Sequence, residues 1–401
     1  LTPNYRNAAV VFCRGEGAWG ETEDGKRYLD FSAGVAVNAL GHNHPEVVFA
    51  LRDQVGRLIH QSNYWHNCHA APLAEQLCGL FERACEPATA VEGRAFFCNS
   101  GAEANEALIK LARRYHSRVK NVARPGIVTV EDSFHGRTYA AMTATAQPKY
   151  QDGFGPLVPG FSHAKFGDLG SIEAAIDAAE SGPNPVGAVL IEVVQGEGGV
   201  KLPPTGFFKD LRQLCDDRGI LLLLDEVQTG LGRTGTFFAF EQEGIAPDAI
   251  ALAKALGGGV PVGAIVARAN VAEALQPGTH ATTFGANALA MRAGRTVLAV
   301  FERDQLVAQS KTRGAYLLAK LKTAFADKAW VVDVRGRGLM VGVEVTDKAR
   351  EVIVQARDAH GLLVSVAGGT TLRMTPPLIV TEAECDQAVD ALLSAATAVL
   401  G

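Results

Sequence analysis

A chain of 401 residues with 47% hydrophobic and 20% charged residues is typical of a water-soluble globular protein with more than one lobe. The formal net charge of -5 gives no long-range attraction to nucleic acid or an anionic membrane, and no apolar run is long enough to span a bilayer, so we expect neither partner. Seven cysteines without a CxxC pair predict neither a disulfide framework nor a zinc ribbon. Because the N-terminus also lacks a signal-peptide pattern, a reducing cytoplasm fits best.

The order of the predicted elements divides the chain into three parts. Residues 1–60 carry short strand-like segments and a GHNHP turn, which indicates a small N-terminal arm belonging to a smaller lobe. Over 61–290, short apolar strands alternate with amphipathic helices, which is the βαβ pattern of a mostly parallel sheet. Residues 291–401 mix helices and strands in a way that predicts a smaller α+β lobe, with one long strand over 330–345.

Five predicted strands of the large lobe run into polar or aromatic clusters at their C-terminal ends. The five segments are 94–107, 126–138, 187–199, 219–230 and 249–259. In an open parallel sheet, ligands bind in the crevice beyond the carboxyl ends of the strands. We therefore expect a single pocket. Its predicted lining residues are Ser100, Phe134, Glu192, Asp225 and Lys254.

The first of these clusters has the pattern of an anion site. Ser100 and Glu103 have the spacing of a capping box, and the apolar stripe that follows them indicates a helix. The backbone amides of Gly101 and Ala102 then lie at the positive end of that helix, where a phosphate is favoured. A well-capped helix without a ligand would have the same pattern, so this segment alone leaves both interpretations open.

Asp225 and Lys254 are the ionisable residues that apolar strands bring to the same edge. Asp225 follows four consecutive leucines, where a carboxylate is costly unless it is paired. A protonated ring nitrogen at about 4 Å would supply about 4 kcal/mol at an effective dielectric of about 20, whereas a hydroxyl supplies about 1 kcal/mol. Burial makes a lysine amine nucleophilic, so Lys254 favours Schiff-base chemistry. A capping aspartate and a surface lysine before a flexible turn are the alternatives.

Two other motifs suggest different chemistry. GLGRTG at 230–235 fits the dinucleotide-binding fingerprint of an oxidoreductase. Five residues separate it from its strand, however, and an aromatic run follows it instead of a helix, so this is the less consistent alternative. The histidine and cysteine pairs within 42–44 and 66–69 lack the further ligands of a metal site, and we expect no metal.

Several motifs, in order, resemble those of the class III (ornithine-type) aminotransferases. They are FFCNSGAEANEA, SFHGRT, IEVVQGEGGV, LLLLDEVQTGLGRTG, AKALGGGVPVGA and HATTFGAN, and they extend over nearly the whole chain. The resemblance implies an aspartate-aminotransferase-like α/β fold, fold type I of the pyridoxal phosphate enzymes. The large lobe would have a mostly parallel seven-stranded sheet, and a smaller α+β lobe would accompany it. The implied cofactor is pyridoxal 5'-phosphate.

The resemblance also implies roles for residues at the cofactor. Lys254 would form the Schiff base and act as the catalytic base, and Asp225 would hold the pyridine nitrogen. Phe134 would stack on the ring, while Gly101 and Ala102 would bind the phosphate. The other implied cofactor contacts are Ser100, His135, Glu192, Gln228 and Thr283. The last of these would reach the phosphate of a neighbouring subunit, which implies a homodimer.

Two arginines and one carboxylate are expected to bind substrate. Arg137 and Arg373 resemble the family's carboxylate-binding pair, and Glu197 resembles the residue that neutralises Arg373 when a substrate lacks a second carboxylate. The resemblance implies a reaction that transfers the δ-amino group of N2-acetylornithine to 2-oxoglutarate, giving N-acetylglutamate 5-semialdehyde and glutamate. Gly34 lies where enzymes of free ornithine carry a carboxylate-binding tyrosine, which favours an acylated ornithine. Succinylornithine, 4-aminobutyrate and other ω-amino acids are alternatives.

Overall fold

A computed structural model describes residues 2–5, 10–85 and 91–401. Part of the predicted N-terminal arm, residues 1 and 6–9, lies outside the described residues, as does the segment 86–90. The described strands are β1 Phe12–Glu16, β2 Trp19–Thr22, β3 Arg27–Asp30, β4 Gly93–Cys98, β5 Gly126–Val130, β6 Phe161–Ala164, β7 Val186–Glu192, β8 Leu221–Asp225, β9 Ala249–Leu252, β10 Gly263–Arg268, β11 Val331–Arg337, β12 Met340–Val345, β13 Leu362–Leu363, β14 Ser365–Ala367 and β15 Thr371–Met374.

The helices cover both faces of the central sheet and the outside of the smaller lobe. The α-helices are Pro45–Val55, Ala70–Ala84, Gly101–Arg114, Tyr139–Ala144, Pro148–Gln151, Leu169–Glu180, Phe207–Arg218, Ala269–Ala272, Ala288–Arg303, Leu306–Phe325, Ala349–His360 and Glu382–Leu400. A π-helical turn at Tyr115–Val119 and 3-10 turns at Ala239–Glu243 and Lys254–Gly257 complete the helical elements, together with a left-handed turn at Ala33–Ala36. Within the described part of the chain, none of the helices combines the length and the apolar character needed to cross a bilayer.

The central sheet has seven strands in the order β4-β10-β9-β8-β7-β5-β6. Strand β10 runs antiparallel to both of its neighbours, and the other six strands point the same way. The predicted mostly parallel seven-stranded sheet is therefore confirmed. Because β7 and β8 are buried along their whole length, their sequences are almost continuously apolar. The carboxyl ends of six strands meet at one edge.

Two four-stranded sheets form the rest of the described fold. Strands β1, β2, β3 and β13 form one sheet in that order, and the pairing of β3 with β13 joins the N-terminal arm to the C-terminal part of the chain. Strands β11, β12, β15 and β14 form an antiparallel sheet. The segment 330–345, expected to be one strand, is instead the β11–β12 hairpin, because the chain turns at 338–339. The boundaries at residues 60 and 290 remain predictions.

Candidate active site

One cavity of about 450 Å³ lies at the carboxyl ends of the parallel strands. Its volume is within the range of small-molecule sites, about 300–1,000 Å³. The predicted site residues that line it are Ser100, Gly101, Ala102, Phe134, His135, Arg137, Glu192, Glu197, Asp225, Gln228 and Lys254. Arg373 reaches the same place through its contacts with Glu197 and Gln228. The exposed Thr283 does not line the cavity.

The N-terminus of the helix Gly101–Arg114 forms one end of the cavity. Ser100 caps this helix, since its hydroxyl oxygen accepts a hydrogen bond from the amide of Glu103 at 3.2 Å. The other half of the expected capping box is wrong. The Glu103 carboxylate accepts from the amide of Asn99 and not from that of Ser100, because Asn99 also offers its side-chain amide. Within the described residues, the amides of Gly101 and Ala102 have no acceptor and remain available to an anion.

Asp225 is held by three hydrogen bonds at the end of β8. Its Oδ2 atom accepts from His135 Nδ1 at 2.8 Å and from Asn105 Nδ2 at 2.7 Å, and its Oδ1 atom accepts from the amide of Val227 at 3.0 Å. The carboxylate is 3% exposed and is therefore fixed in direction. Sequence reasoning missed Asn105, although a polar residue within the apolar stripe of a helix was a signal for it.

Lys254 lies two residues after the end of β9 and is partly buried. Its backbone is left-handed, with φ of 43°, which a non-glycine residue adopts only when its surroundings impose it. Within the described residues, its ammonium makes no hydrogen bond and no ion pair with another side chain. Burial disfavours the ammonium, and Arg373 repels it, so the pKa of Lys254 is lowered to about 8. The unprotonated, nucleophilic amine is therefore a minority near neutral pH, but it is far more populated than in an exposed lysine.

Glu192 supports the wall that carries Phe134. Its carboxylate accepts from the amide of Phe134 at 3.0 Å and from that of Gly196 at 2.9 Å. Burial of the carboxylate raises the pKa of Glu192 to about 7, and the negative charge of Asp225 acts in the same direction.

The two predicted arginines have different surroundings. Arg373, whose side chain is 3% exposed, donates to Glu197 Oε1 at 2.7 Å, to Gln228 Oε1 at 3.2 Å and to the hydroxyl of Ser365. Arg137 is exposed and lies over the ring of Tyr150, with 3.9 Å from its guanidinium carbon to the ring centre. Arg373 is thus paired with a carboxylate inside the protein, whereas Arg137 has no carboxylate partner among the described residues.

Sequence reasoning did not find Tyr150. It lies in the short helix Pro148–Gln151, and nothing in its local sequence indicates that it meets Arg137.

The GLGRTG segment joins the large lobe to the C-terminal sheet. Arg233 is 2% exposed and donates to the carbonyl oxygens of Leu339 at 2.9 Å and Pro376 at 2.6 Å. A dinucleotide fingerprint opens an α-helix, whereas the next element here is the 3-10 turn Ala239–Glu243. The segment therefore lacks the geometry of a nucleotide site.

The groups around the cavity match those of pyridoxal phosphate. The free amides at the helix N-terminus suit a phosphate, the Asp225 carboxylate suits a protonated ring nitrogen, and the unpartnered Lys254 amine suits an aldehyde. Phe134 and Val227 supply apolar walls for a ring. A Cβ atom on Gly101 would lie 2.6 Å from Val227 Cγ1, so the close approach of helix and wall requires glycine here.

This combination of fold and site defines a pyridoxal phosphate enzyme of the aminotransferase type. The family profile described as aminotransferase class III matches residues 1–396. The chain belongs to the class III aminotransferases. Membership confirms the fold, the class of enzyme and the cofactor that the motifs led us to expect.

Similar proteins cover nearly the whole chain. An acetylornithine aminotransferase of Aquifex aeolicus is 44% identical over 392 residues, which cover 98% of each chain. One of Gloeobacter violaceus is 47% identical over 386 residues, covering 96% of this chain and 92% of that protein. The crystal structure of N-acetylornithine aminotransferase from Stenotrophomonas maltophilia matches with a TM-score of 0.83 at 36% identity, covering 99% of this chain and 98% of the other. An ornithine aminotransferase of Toxoplasma gondii, described with pyridoxal phosphate at partial occupancy, matches with a TM-score of 0.91 at 33% identity, covering 100% and 92%.

Proposed function

We propose that this aminotransferase transfers the δ-amino group of N-acetylornithine to 2-oxoglutarate, giving N-acetylglutamate 5-semialdehyde and glutamate. The observation that carries the proposal is the unequal state of the two arginines. Arg373 is buried and paired with Glu197, while Arg137 has no carboxylate partner within the described residues. A pocket with one available cation suits a donor that presents one carboxylate beyond its reacting amine. The names of the Aquifex and Gloeobacter relatives support the same donor.

Each half of the reaction would use the arginines differently. N-acetylornithine would place its single carboxylate on Arg137, with Glu197 left on Arg373. Glutamate and 2-oxoglutarate carry two carboxylates, so the second would take Arg373 after Glu197 moves away. A guanidinium suits both tasks, because its planar fork binds a carboxylate through two parallel hydrogen bonds. Glu197, whose side chain is 23% exposed, lies near enough to solvent to move.

The remaining side chains would act on protons and charge. Bound pyridoxal phosphate supplies an aldehyde that binds the substrate amine and a ring that accepts electrons. The amine of Lys254 would take the proton from the carbon that bears the reacting nitrogen. It would then donate this proton to the cofactor in the same half-reaction. Asp225, fixed by His135 and Asn105, would hold a proton on the ring nitrogen. Glu192, Gln228 and Phe134 would keep the walls of the pocket in place.

The surroundings of the left-handed turn Ala33–Ala36 bear on whether the donor is acylated. Val37 lines the cavity directly after the left-handed turn Ala33–Ala36, and Gly34 within that turn has no side chain that could bind the carboxylate of free ornithine. This arrangement supports an acylated α-nitrogen over a free one, as in N-acetylornithine. The test is a panel of donors with 2-oxoglutarate as acceptor. We expect N-acetylornithine to have the highest kcat/KM, and a tenfold preference for ornithine, 4-aminobutyrate or succinylornithine would overturn the proposed donor.

We also propose that the enzyme is a cytoplasmic homodimer. The segments 58–65 and 282–285 form one surface, since Asn63 Nδ2 donates to the carbonyl of Gly285 at 3.0 Å. Large apolar side chains are exposed on this surface, namely Leu58, Ile59, Tyr64, Trp65 and Phe284. A contiguous apolar patch of this kind suits a second copy of the chain, and Thr283 lies within it. All seven cysteines are free thiols, which suits a reducing compartment.

Sedimentation of a charged variant tests the dimer. Trp65→Glu should give a monomer with weakened cofactor binding, because Thr283 would no longer reach the neighbouring site. Val354→Glu, at an exposed apolar position on the helix Ala349–His360, is the matched control and should remain dimeric. A wild-type protein that sediments as a monomer would refute the proposed assembly.

A further inference from the structure

Three strands of the C-terminal sheet place two arginines in one row with a glycine between them. Arg335 on β11 is directly opposite Gly342 on β12, and Gly342 is directly opposite Arg373 on β15. Directly opposite residues of antiparallel strands project from the same face. The two guanidinium groups therefore rise from one face of the sheet, two strand spacings apart, or about 10 Å.

The loop 196–200, here called the switch loop, lies on this row. Val200 is fully buried, and a Cβ atom on Gly342 would lie 3.3 Å from Val200 Cβ and 2.6 Å from Thr371 Cγ2. Glycine between the two arginines thus lets the switch loop approach the sheet. Arg373 contacts the loop at its Glu197 side chain, and Arg335 contacts it at its C-terminal end.

All three nitrogen atoms of the Arg335 guanidinium are used at this contact. Nη2 donates to the carbonyl of Gly199 at 2.6 Å, and Nε donates to the carbonyl of Val200 at 3.0 Å. Nη1 faces Glu344 Oε2 at 2.6 Å, which fixes the plane of the group. A lysine could not reproduce this arrangement, because one ammonium cannot meet two carbonyls and a carboxylate in a single plane.

The backbone of the switch loop is strained at the residue that Arg335 holds. Val200 has φ of 53°, a left-handed conformation that a β-branched residue rarely adopts. Such a conformation persists only when the surrounding contacts impose it. The other end of the loop is fixed by the Glu192 carboxylate, which accepts from the amide of Gly196 at 2.9 Å. Glu197 lies between these two fixed ends.

We propose that Arg335 is a positioning residue for the substrate switch: by holding the Gly199 and Val200 carbonyls, it keeps the Glu197 carboxylate on Arg373. This inference rests on the exchange of Glu197 proposed above. Without Arg335 the Gly199 and Val200 carbonyls lose the side chain that holds them, and Glu197 occupies Arg373 for a smaller fraction of the time. Donors with a single carboxylate then meet a bare buried cation, whereas ligands with two carboxylates meet less competition.

The test compares Arg335→Met and Arg335→Lys with a control on the same strand. Arg337→Met is the matched control, since Arg337 pairs with Glu243 of the large lobe and, among the described residues, makes no hydrogen bond or ion pair with the switch loop. Single-turnover kcat/KM is measured with N-acetylornithine and with glutamate, and glutarate is titrated into the cofactor-loaded proteins. Glutarate reports competition for Arg373 without any reaction.

For Arg335→Met we expect kcat/KM to fall about tenfold with N-acetylornithine and to stay within about twofold with glutamate. The Kd of glutarate for Arg335→Met should be at least about threefold lower than for the wild type. Arg335→Lys should lie between Arg335→Met and the wild type, and Arg337→Met should lower neither half-reaction selectively. Equal losses in both half-reactions, or unchanged glutarate binding, would overturn the proposal. If the wild type does not use N-acetylornithine, the proposed donor is wrong, and glutarate binding alone decides the role of Arg335. Should Arg335→Met fail to fold, Arg335→Lys decides the outcome by the same criteria.

Discussion

The lowered pKa of Lys254 predicts a pH-dependent penalty on the stability of the cofactor-free protein. The pKa falls from 10.5 to about 8 because burial and Arg373 disfavour the ammonium. At about 1.4 kcal/mol per pH unit, this corresponds to a penalty of up to about 3 kcal/mol. Below pH 8 the ammonium is present in both the folded and the unfolded chain, so the folded protein carries the whole penalty. Between pH 8 and 10.5 the unfolded chain binds more protons, and stability rises with pH.

Replacing Lys254 by methionine should remove this penalty. We expect the free energy of unfolding of Lys254→Met to exceed that of the wild type by an amount that shrinks by about 2–3 kcal/mol between pH 8 and 10.5. Urea denaturation of the two cofactor-free proteins, at one protein concentration and at several pH values, measures the difference. Lys165→Met, at an exposed position, is the matched control for loss of a lysine. A difference between wild type and Lys254→Met that stays constant with pH would refute the argument.

Three further substitutions test the other parts of the site. Asp225→Ala should bind cofactor but lose about 10³-fold in turnover, since an attraction of about 4 kcal/mol at the ring nitrogen disappears; a wild-type rate would contradict the role of this carboxylate. Glu197→Ala should slow the N-acetylornithine half-reaction at least about tenfold more than the glutamate half-reaction in stopped-flow absorbance, and equal slowing would remove it as a switch. Gly101→Ala places Cβ 2.6 Å from Val227 Cγ1, so the cofactor Kd in a fluorescence titration should rise at least about tenfold; an unchanged Kd would show that the phosphate end lies elsewhere.

The parallel sheet, and the grouping of most predicted site residues around one cavity, could be predicted because both depend on local sequence patterns. Apolar runs such as 221–224 can only be buried strands, and parallel strands present their carboxyl ends at one edge. Asn105, Tyr150 and Arg335 could not be assigned in the same way. Each acts through a partner far away in the chain, and local sequence does not record such contacts.

The capping box and the hairpin show a second limit. Glu103 was expected to return to the cap residue, but Asn99 offers both a backbone and a side-chain donor to the same carboxylate. The segment 330–345 has the composition of a single strand, yet its two halves pair with each other. In both cases the interaction that forms uses the same kinds of chemical group as the one expected. The three-dimensional arrangement is therefore needed to tell the two apart.

The segment that follows β8 connects the two ends of the catalytic apparatus mechanically. Asp225, the last residue of β8, faces the cavity, and eight residues later Arg233 donates to the carbonyls of Leu339 and Pro376. Gln228, midway along, touches the guanidinium of Arg373. A ligand that draws Arg373 away from Gln228 therefore acts on the segment whose Val227 amide binds the Asp225 carboxylate. By thermodynamic reciprocity, the affinity for pyridoxal phosphate should therefore differ between enzyme saturated with a dicarboxylate and enzyme without one.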